Sequence, residues 1–201
     1  MNRVLVAYPA SFFSYSKFAR KLGNILASLR NYEFFYLDDD NEFISRFSSQ
    51  IAHTHEKKIV PEELTIVPTH AIVFDDGESF SGVVQKVKEA RLPLRRIQVE
   101  ITKVVNKDKN EAYDVYIGRG TPWGNPYAVG FGNSPDEEPD DRLEAIRKFE
   151  YDFERGYLKG GAAFKQNLLL LKGKRLGCHC KPLPCHGDIL AIFLNDFDDG
   201  R

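Results

Sequence analysis

The sequence predicts an α/β chain built in two parts, a Rossmann-like parallel-sheet N-terminal domain and a smaller α+β C-terminal domain. Three observations predict it. Residues 3–7 (RVLVA) and 69–74 (THAIVF) are short apolar runs, the pattern of strands buried on both faces. Each is followed by a turn and then a stretch with helical spacing, the order that gives a crossover to a parallel neighbour. A polar stretch without apolar residues, 106–110 (NKDKN), then separates this half from a second one. The expected domains are therefore 1–105 and 106–201.

The elements follow in order. After the strand at 3–7, Tyr8-Pro9-Ala10-Ser11 forms a turn, and Ser14 or Ser16 can cap a helix reaching about Leu29. Phe18, Leu22, Ile25, Leu26 and Leu29 repeat along that helix at helical spacing. A strand is expected at 34–37, then a helix containing Phe43, Ile44, Phe47 and Ile51. Residues 53–68 are polar, contain Pro61 and Pro68, and read as a surface connection. The strand at 69–74 leads through Asp75-Asp76-Gly77-Glu78-Ser79 into a helix over 82–90 and a strand over 94–101. In the second half a strand at 115–118 precedes a Gly/Pro-rich loop, 119–126. An acidic loop spans 130–141. Leu143, Ile146, Phe149, Phe153 and Tyr157 mark an amphipathic helix. A further helix ends at Gly173, residues 175–180 fit a strand, and 189–194 open the last helix.

Composition narrows the function classes. Hydrophobic residues make up 42% and charged residues 28% of the 201, the balance of an ordinary globular protein. The chain has no apolar run of about 18 residues, so no membrane partner is expected. The N-terminal apolar run is short and reads as a strand instead of a secretory signal. Three cysteines do not make a disulfide framework, which points to a cytoplasmic protein. The net charge of −1 does not favour general duplex-DNA binding. Oligomeric state is open.

Chemistry concentrates in two segments. All three cysteines and two of the five histidines fall in Cys178-His179-Cys180-Lys181-Pro182-Leu183-Pro184-Cys185-His186. Three readings stay open. Cys178, Cys180, Cys185 and His186 form a Cys3His candidate set for zinc, although adjacent Cys185 and His186 must diverge on a tight turn. Alternatively, Cys185 near a helix N-terminus, with His186 beside it and Cys180 close by, suits a catalytic thiol. Asp188 would then serve as acid/base or simply cap the last helix. In the third reading the cysteines are small buried hydrophobes, and the prolines shape the loop. The other segment is the 119–126 loop. Arg119 can fork onto a phosphate, Gly120 and Gly124 allow close backbone approach, and Trp123 can stack on a base. Thr121 and Asn125 add hydrogen-bonding groups. In the first half, Ser79 at a strand's C-terminal end is a further candidate ligand-binding residue.

Two resemblances add to this. Tyr-Ile-Gly-Arg-Gly-Thr-Pro-Trp-Gly-Asn-Pro at 116–126 and Cys-His-Cys-Lys-Pro-Leu-Pro-Cys-His-Gly-Asp at 178–188 resemble DUF4326, a family found in bacteria and their phages. His179 stands where that family more often has an aromatic residue. The strand at 3–7 and residues 71–82 are similar to the SLOG group of Rossmann-like nucleotide-binding domains, with Tyr8-Pro9-Ala10-Ser11 replacing its usual Gly-Ser-type turn. Together they imply an enzyme acting on a nucleotide, nucleoside or modified base, by hydrolysis or transfer at a glycosidic or phosphate bond. Its partner would be a nucleotide-like small molecule, with zinc as the candidate cofactor. The alternatives are a non-catalytic binder of a nucleotide or partner, and a structural zinc adaptor.

Overall fold

The computed structural model describes residues 1–127 and 139–200. The acidic loop expected at 130–141 falls largely outside these residues. The chain divides into two compact units, 1–100 with 196–201, and 101–195.

In the first unit five parallel strands run in the order β3-β2-β1-β4-β5. They are β1 (Asn2–Ala7), β2 (Tyr32–Tyr36), β3 (Glu56–Lys58), β4 (His70–Asp75) and β5 (Leu94–Gln98), with helices α1 (Tyr15–Leu26), α2 (Phe43–Ser48) and α3 (Ser81–Glu89) between them. Central β1 and β4 pair Leu5 with Ala71 and Val6 with Ile72, and these four side chains are buried. Helix α1 buries Phe18, Leu22 and Leu26, one apolar stripe at four-residue intervals. This is the Rossmann-like parallel sheet that the apolar runs predict.

Three details depart from expectation. The presumed surface connection at 53–68 contains β3, an edge strand beside β2. All three of its residues are exposed, so it carries no apolar pattern, and its charges suit an edge that must not recruit another chain. Ser14 occupies the N-cap of α1, but its hydroxyl makes no capping bond. Ser79 does not cap α3 either: its backbone N–H and hydroxyl donate to the two oxygens of Asp76 at 2.7 and 2.8 Å. The neighbouring Asp75 is nearly buried and ion-paired with Arg96.

The turn after β1 is filled with aromatic rings. Tyr8 packs on Phe18 and Phe43 with centroids 5.3 and 5.2 Å apart, and Phe74 of β4 stacks on Phe18 at 4.9 Å. The Tyr8 hydroxyl donates to Asp39 at 2.6 Å. Asp39 also accepts from the backbone N–H groups of Ile44 and Ser45, which are free donors in the first turn of α2. Burial raises the Asp39 carboxyl pKa, but these hydrogen bonds outweigh it and hold the group below its usual range. A depressed carboxyl stabilises the fold above its ordinary pKa, and that contribution disappears as pH falls through the folded value. Asp39→Asn is therefore expected to cost about 1 kcal/mol at neutral pH, given the partial exposure of the group. The difference from wild type should shrink as pH falls below the ordinary carboxyl range and vanish once the wild-type carboxyl is itself protonated; urea midpoints at neutral pH and across an acid series check this.

In the second unit three parallel strands run in the order β6-β8-β7. They are β6 (Lys103–Asn106), β7 (Val115–Tyr116) and β8 (Arg175–Cys178), accompanied by α4 (Pro139–Arg155), α5 (Ala162–Leu168) and α6 (His186–Asp196). Phe149 and Phe153 of α4, Phe164 and Leu168 of α5, Leu176 of β8, and Leu190 and Leu194 of α6 form its core. The polar run 106–110, read as a linker, lies inside this unit. Asn106 ends β6 and is buried, and a single 3-10 turn follows at Lys107–Lys109. Strand β8 stops at Cys178, and α6 begins at His186, three residues earlier than Ile189.

Candidate functional site

Because β6, β7 and β8 are parallel, their C-terminal ends lie side by side: Asn106 is paired with Cys178, and Tyr116 with Gly177. Parallel sheets place ligands beyond those ends. A cavity of about 350 Å³ opens there, lined by both chemistry-bearing segments and by α4. Tyr116, Gly118, Arg119, Asn125 and Tyr127 come from β7 and the loop after it; Arg142 and Ile146 from α4; Cys178, His179, Cys180, Pro184, Cys185 and His186 from the segment joining β8 to α6.

The three cysteines are free thiols whose sulfurs all lie within 4.8 Å of one another. Cys178 and Cys185 are buried, and Cys180 is half-buried. Cys180 is driven far below the usual thiol range because Cys178 and Cys185 hydrogen-bond to its sulfur and the Arg142 guanidinium sits beside it. The thiols of Cys178 and Cys185 are pushed up, Cys178 chiefly by its contact with Cys180 and Cys185 chiefly by its contact with Cys178, and both also by burial. Of the three, Cys180 ionises first. Cys185, the candidate nucleophile, is buried and Cys180 is half-buried, and both line the cavity with Cys178.

The backbone around the sulfurs is pinned. The Asn106 side-chain amide donates to the carbonyl oxygens of His179 and Lys181. Asp188 accepts from the Cys185 N–H at 2.9 Å, and its own N–H donates to the Cys185 carbonyl at 3.0 Å. This is a reciprocal helix cap in which the carboxylate sits at the third helical position. Asp188 also pairs with Lys181 and is not among the residues lining the cavity; its contacts are those of a cap on α6.

His186 stands apart from the sulfur cluster. Its Nε2 lies 2.9 Å from the Ile117 carbonyl oxygen, which can only accept, so Nε2 carries the proton. Its ring is buried edge-on against Phe149. Burial lowers the His186 pKa, disfavouring the charged ring. The candidate metal set is therefore Cys178, Cys180 and Cys185, with His186 outside it.

The loop after β7 splits in its duties. The Thr121 hydroxyl donates to the Gly118 carbonyl at 2.8 Å. A Cβ on Gly124 would come within 2.6 Å of that carbonyl oxygen, so the close approach requires glycine. Gly120 has φ +86°, the left-handed region. The Asn125 amide donates to the Ala145 carbonyl at 3.1 Å, and its oxygen accepts from the Tyr127 N–H at 2.9 Å. Trp123 packs edge-on against Phe164 at 5.3 Å and lines a second groove, which shares Arg119 and Asn125 with the cavity. Of the residues predicted there, Arg119 and Asn125 reach the cavity; Thr121, Trp123, Gly120 and Gly124 shape the loop that carries them. Ser79 belongs to the first unit.

Sequence reasoning missed a relay across the three strand ends. His179 Nδ1 lies 2.6 Å from Asp108 Oδ2, and its Nε2 lies 3.0 Å from the Tyr116 hydroxyl. The His179 hydrogen bond holds the Asp108 carboxyl below its usual range. Asp108 accepts from Nδ1, so in the neutral ring Nε2 accepts from Tyr116. The three residues come from 108, 116 and 179, and only the adjacent ends of β6, β7 and β8 bring them together. Arg142 was missed as well; it reads as one more charged residue on an amphipathic helix.

Known proteins fit this division. Residues 1–105 match the minimal SLOG domain, and residues 101–196 match the domain of unknown function DUF4326. The chain is 45% identical over 95 residues to an uncharacterized 12.4 kDa protein in the nrdA-td intergenic region of Enterobacteria phage T4, covering 47% of this chain and 79% of that protein. No solved structure matches. Among the described residues, no helix is long and apolar enough to cross a membrane. The chain belongs to the minimal SLOG domain family, and it carries a DUF4326 domain in its second half.

Proposed function

We propose that the cavity of the second unit is the active site of an enzyme acting on a nucleotide, nucleoside or modified base, by hydrolysis or transfer at a glycosidic or phosphate bond. One observation carries this reading: two arginines, Arg119 and Arg142, share a cavity of about 350 Å³ with the Tyr116 hydroxyl and the cysteine cluster. That volume falls in the range of small-molecule sites, about 300–1,000 Å³. Guanidinium groups fork onto phosphate or carboxylate oxygens. Tyr116 offers both a ring face and a hydroxyl, which the His179–Asp108 pair orients. The SLOG membership of the first half supports the nucleotide class by association only.

The test is incubation of the full chain with a panel of nucleosides, their mono-, di- and triphosphates, and modified bases, with product separated chromatographically. Turnover of one panel member is expected. Tyr116→Phe, which removes one hydrogen-bonding hydroxyl at the cavity, is expected to lower kcat/KM about tenfold. Stoichiometric binding without product would replace the enzyme by a nucleotide-binding protein. Neither binding nor product across the panel would sink the reading.

A further inference from the structure

We propose that Cys178, Cys180 and Cys185 hold one Zn²⁺ as a three-thiolate centre whose fourth coordination position opens into the cavity. It rests on the reading of this cavity as the reaction site and goes further, assigning the cofactor and where a ligand would meet it.

Distance comes first. Zinc–thiolate bonds of about 2.3 Å in a tetrahedron set their sulfurs about 3.8 Å apart. Three sulfurs within 4.8 Å of one another need only a small contraction to meet that. Local structure provides the rigidity a metal site needs. Cys178 ends β8, Cys180 begins a tight turn closed by the Leu183 N–H onto its carbonyl at 2.9 Å, and Cys185 caps α6. The Asn106 amide ties down the carbonyls between them. Three sulfur ligands select a soft or borderline ion and exclude Mg²⁺ and Ca²⁺. Zinc would displace all three thiol protons, and the Arg142 guanidinium beside Cys180 offsets the excess negative charge.

The open fourth position follows from what the nearby groups already do. His186 Nε2 is committed to the Ile117 carbonyl, and neither ring nitrogen joins the sulfur cluster. Both nitrogens of His179 are committed, to Asp108 and to Tyr116. Among the described residues, no histidine or carboxylate completes the group. Structural zinc sites are closed by four protein ligands, whereas reactive ones keep a place for water or substrate. All three cysteines line the cavity and Cys180 is the half-buried one, so the vacant position faces the space that Arg119 and Arg142 also line. A water, or a phosphate or hydroxyl oxygen of a ligand, is the class of group that fits there.

Elemental analysis of the purified full chain for zinc, copper and iron is the first measurement, with about one zinc per chain expected. Cys180→Ser should lose the metal, and His186→Gln should keep it, since the Gln amide nitrogen can stand where Nε2 does and still donate to the Ile117 carbonyl. If either variant fails to fold, wild-type protein reconstituted with Co²⁺ decides. Its absorption should show tetrahedral thiolate ligation and shift when inorganic phosphate or a small thiol is added. A cobalt spectrum indifferent to both additions means four protein ligands and overturns the open site. So does loss of zinc from folded His186→Gln. Folded, reduced protein that neither contains zinc nor takes it up overturns the assignment altogether. None of these measurements uses a nucleotide, so a metal centre found alongside an inert panel would sink the substrate reading and leave the zinc assignment standing.

Discussion

Replacing Phe149 by alanine is expected to cost the second unit about 3–5 kcal/mol, a large part of the whole stability of an ordinary domain. Phe149 is completely buried on α4. It stacks on Phe153 with centroids 6.2 Å apart and receives the edge of the His186 ring at 5.2 Å. Truncation leaves a cavity in the middle of the cluster formed by Leu176, Leu190 and Leu194, which anchor β8 and α6. Those are the elements that carry Cys178 and Cys185. The chain's one tryptophan, Trp123, lies in this unit against Phe164, so its fluorescence reports unfolding of this unit selectively. A urea midpoint shifted by the equivalent of less than about 1 kcal/mol would show that Phe149 is not central to the core.

Arg142→Ala is expected to weaken binding of a phosphate-bearing ligand by about tenfold to a hundredfold, the loss of one charge-assisted hydrogen bond worth about 1.5–3 kcal/mol. The side chain lines the cavity and sits beside Cys180. Arg142→Lys should recover only part of the affinity, because a point charge replaces a planar fork. Arg147, exposed on the same helix and outside the cavity, is the control, and Arg147→Ala should bind as wild type. Titration calorimetry on the four proteins measures all of this. Equal affinities for Arg142→Ala and wild type would remove Arg142 from the ligand site.

How much of this was legible beforehand varies from segment to segment for definite reasons. Strands β1 and β4 announce themselves because both faces are buried, so every residue from Val4 to Ala7 and from Ala71 to Phe74 is apolar. Strand β3 does not, because an exposed edge strand of Glu-Lys-Lys has no burial pattern to display. The run at 106–110 reads as a linker by composition; Asn106 and Asp108 are polar because one braces the cysteine loop and the other holds His179. The cysteines were visible as a cluster, yet which of them stays half-exposed was not, since burial is a property of the packed unit.

Local sequence decided the parallel α/β architecture, the two family memberships and the gathering of three thiols within eight residues, since these follow from short-range pattern and spacing. Packing decided the rest. Strand pairing brought Asp108, Tyr116 and His179 together across up to 71 positions of sequence. It turned Trp123 away from the cavity and brought Arg142 to it, and it committed His186 to a backbone carbonyl. Spacing along a chain constrains only near neighbours; which distant side chains share a cavity is set when the parallel strand ends align.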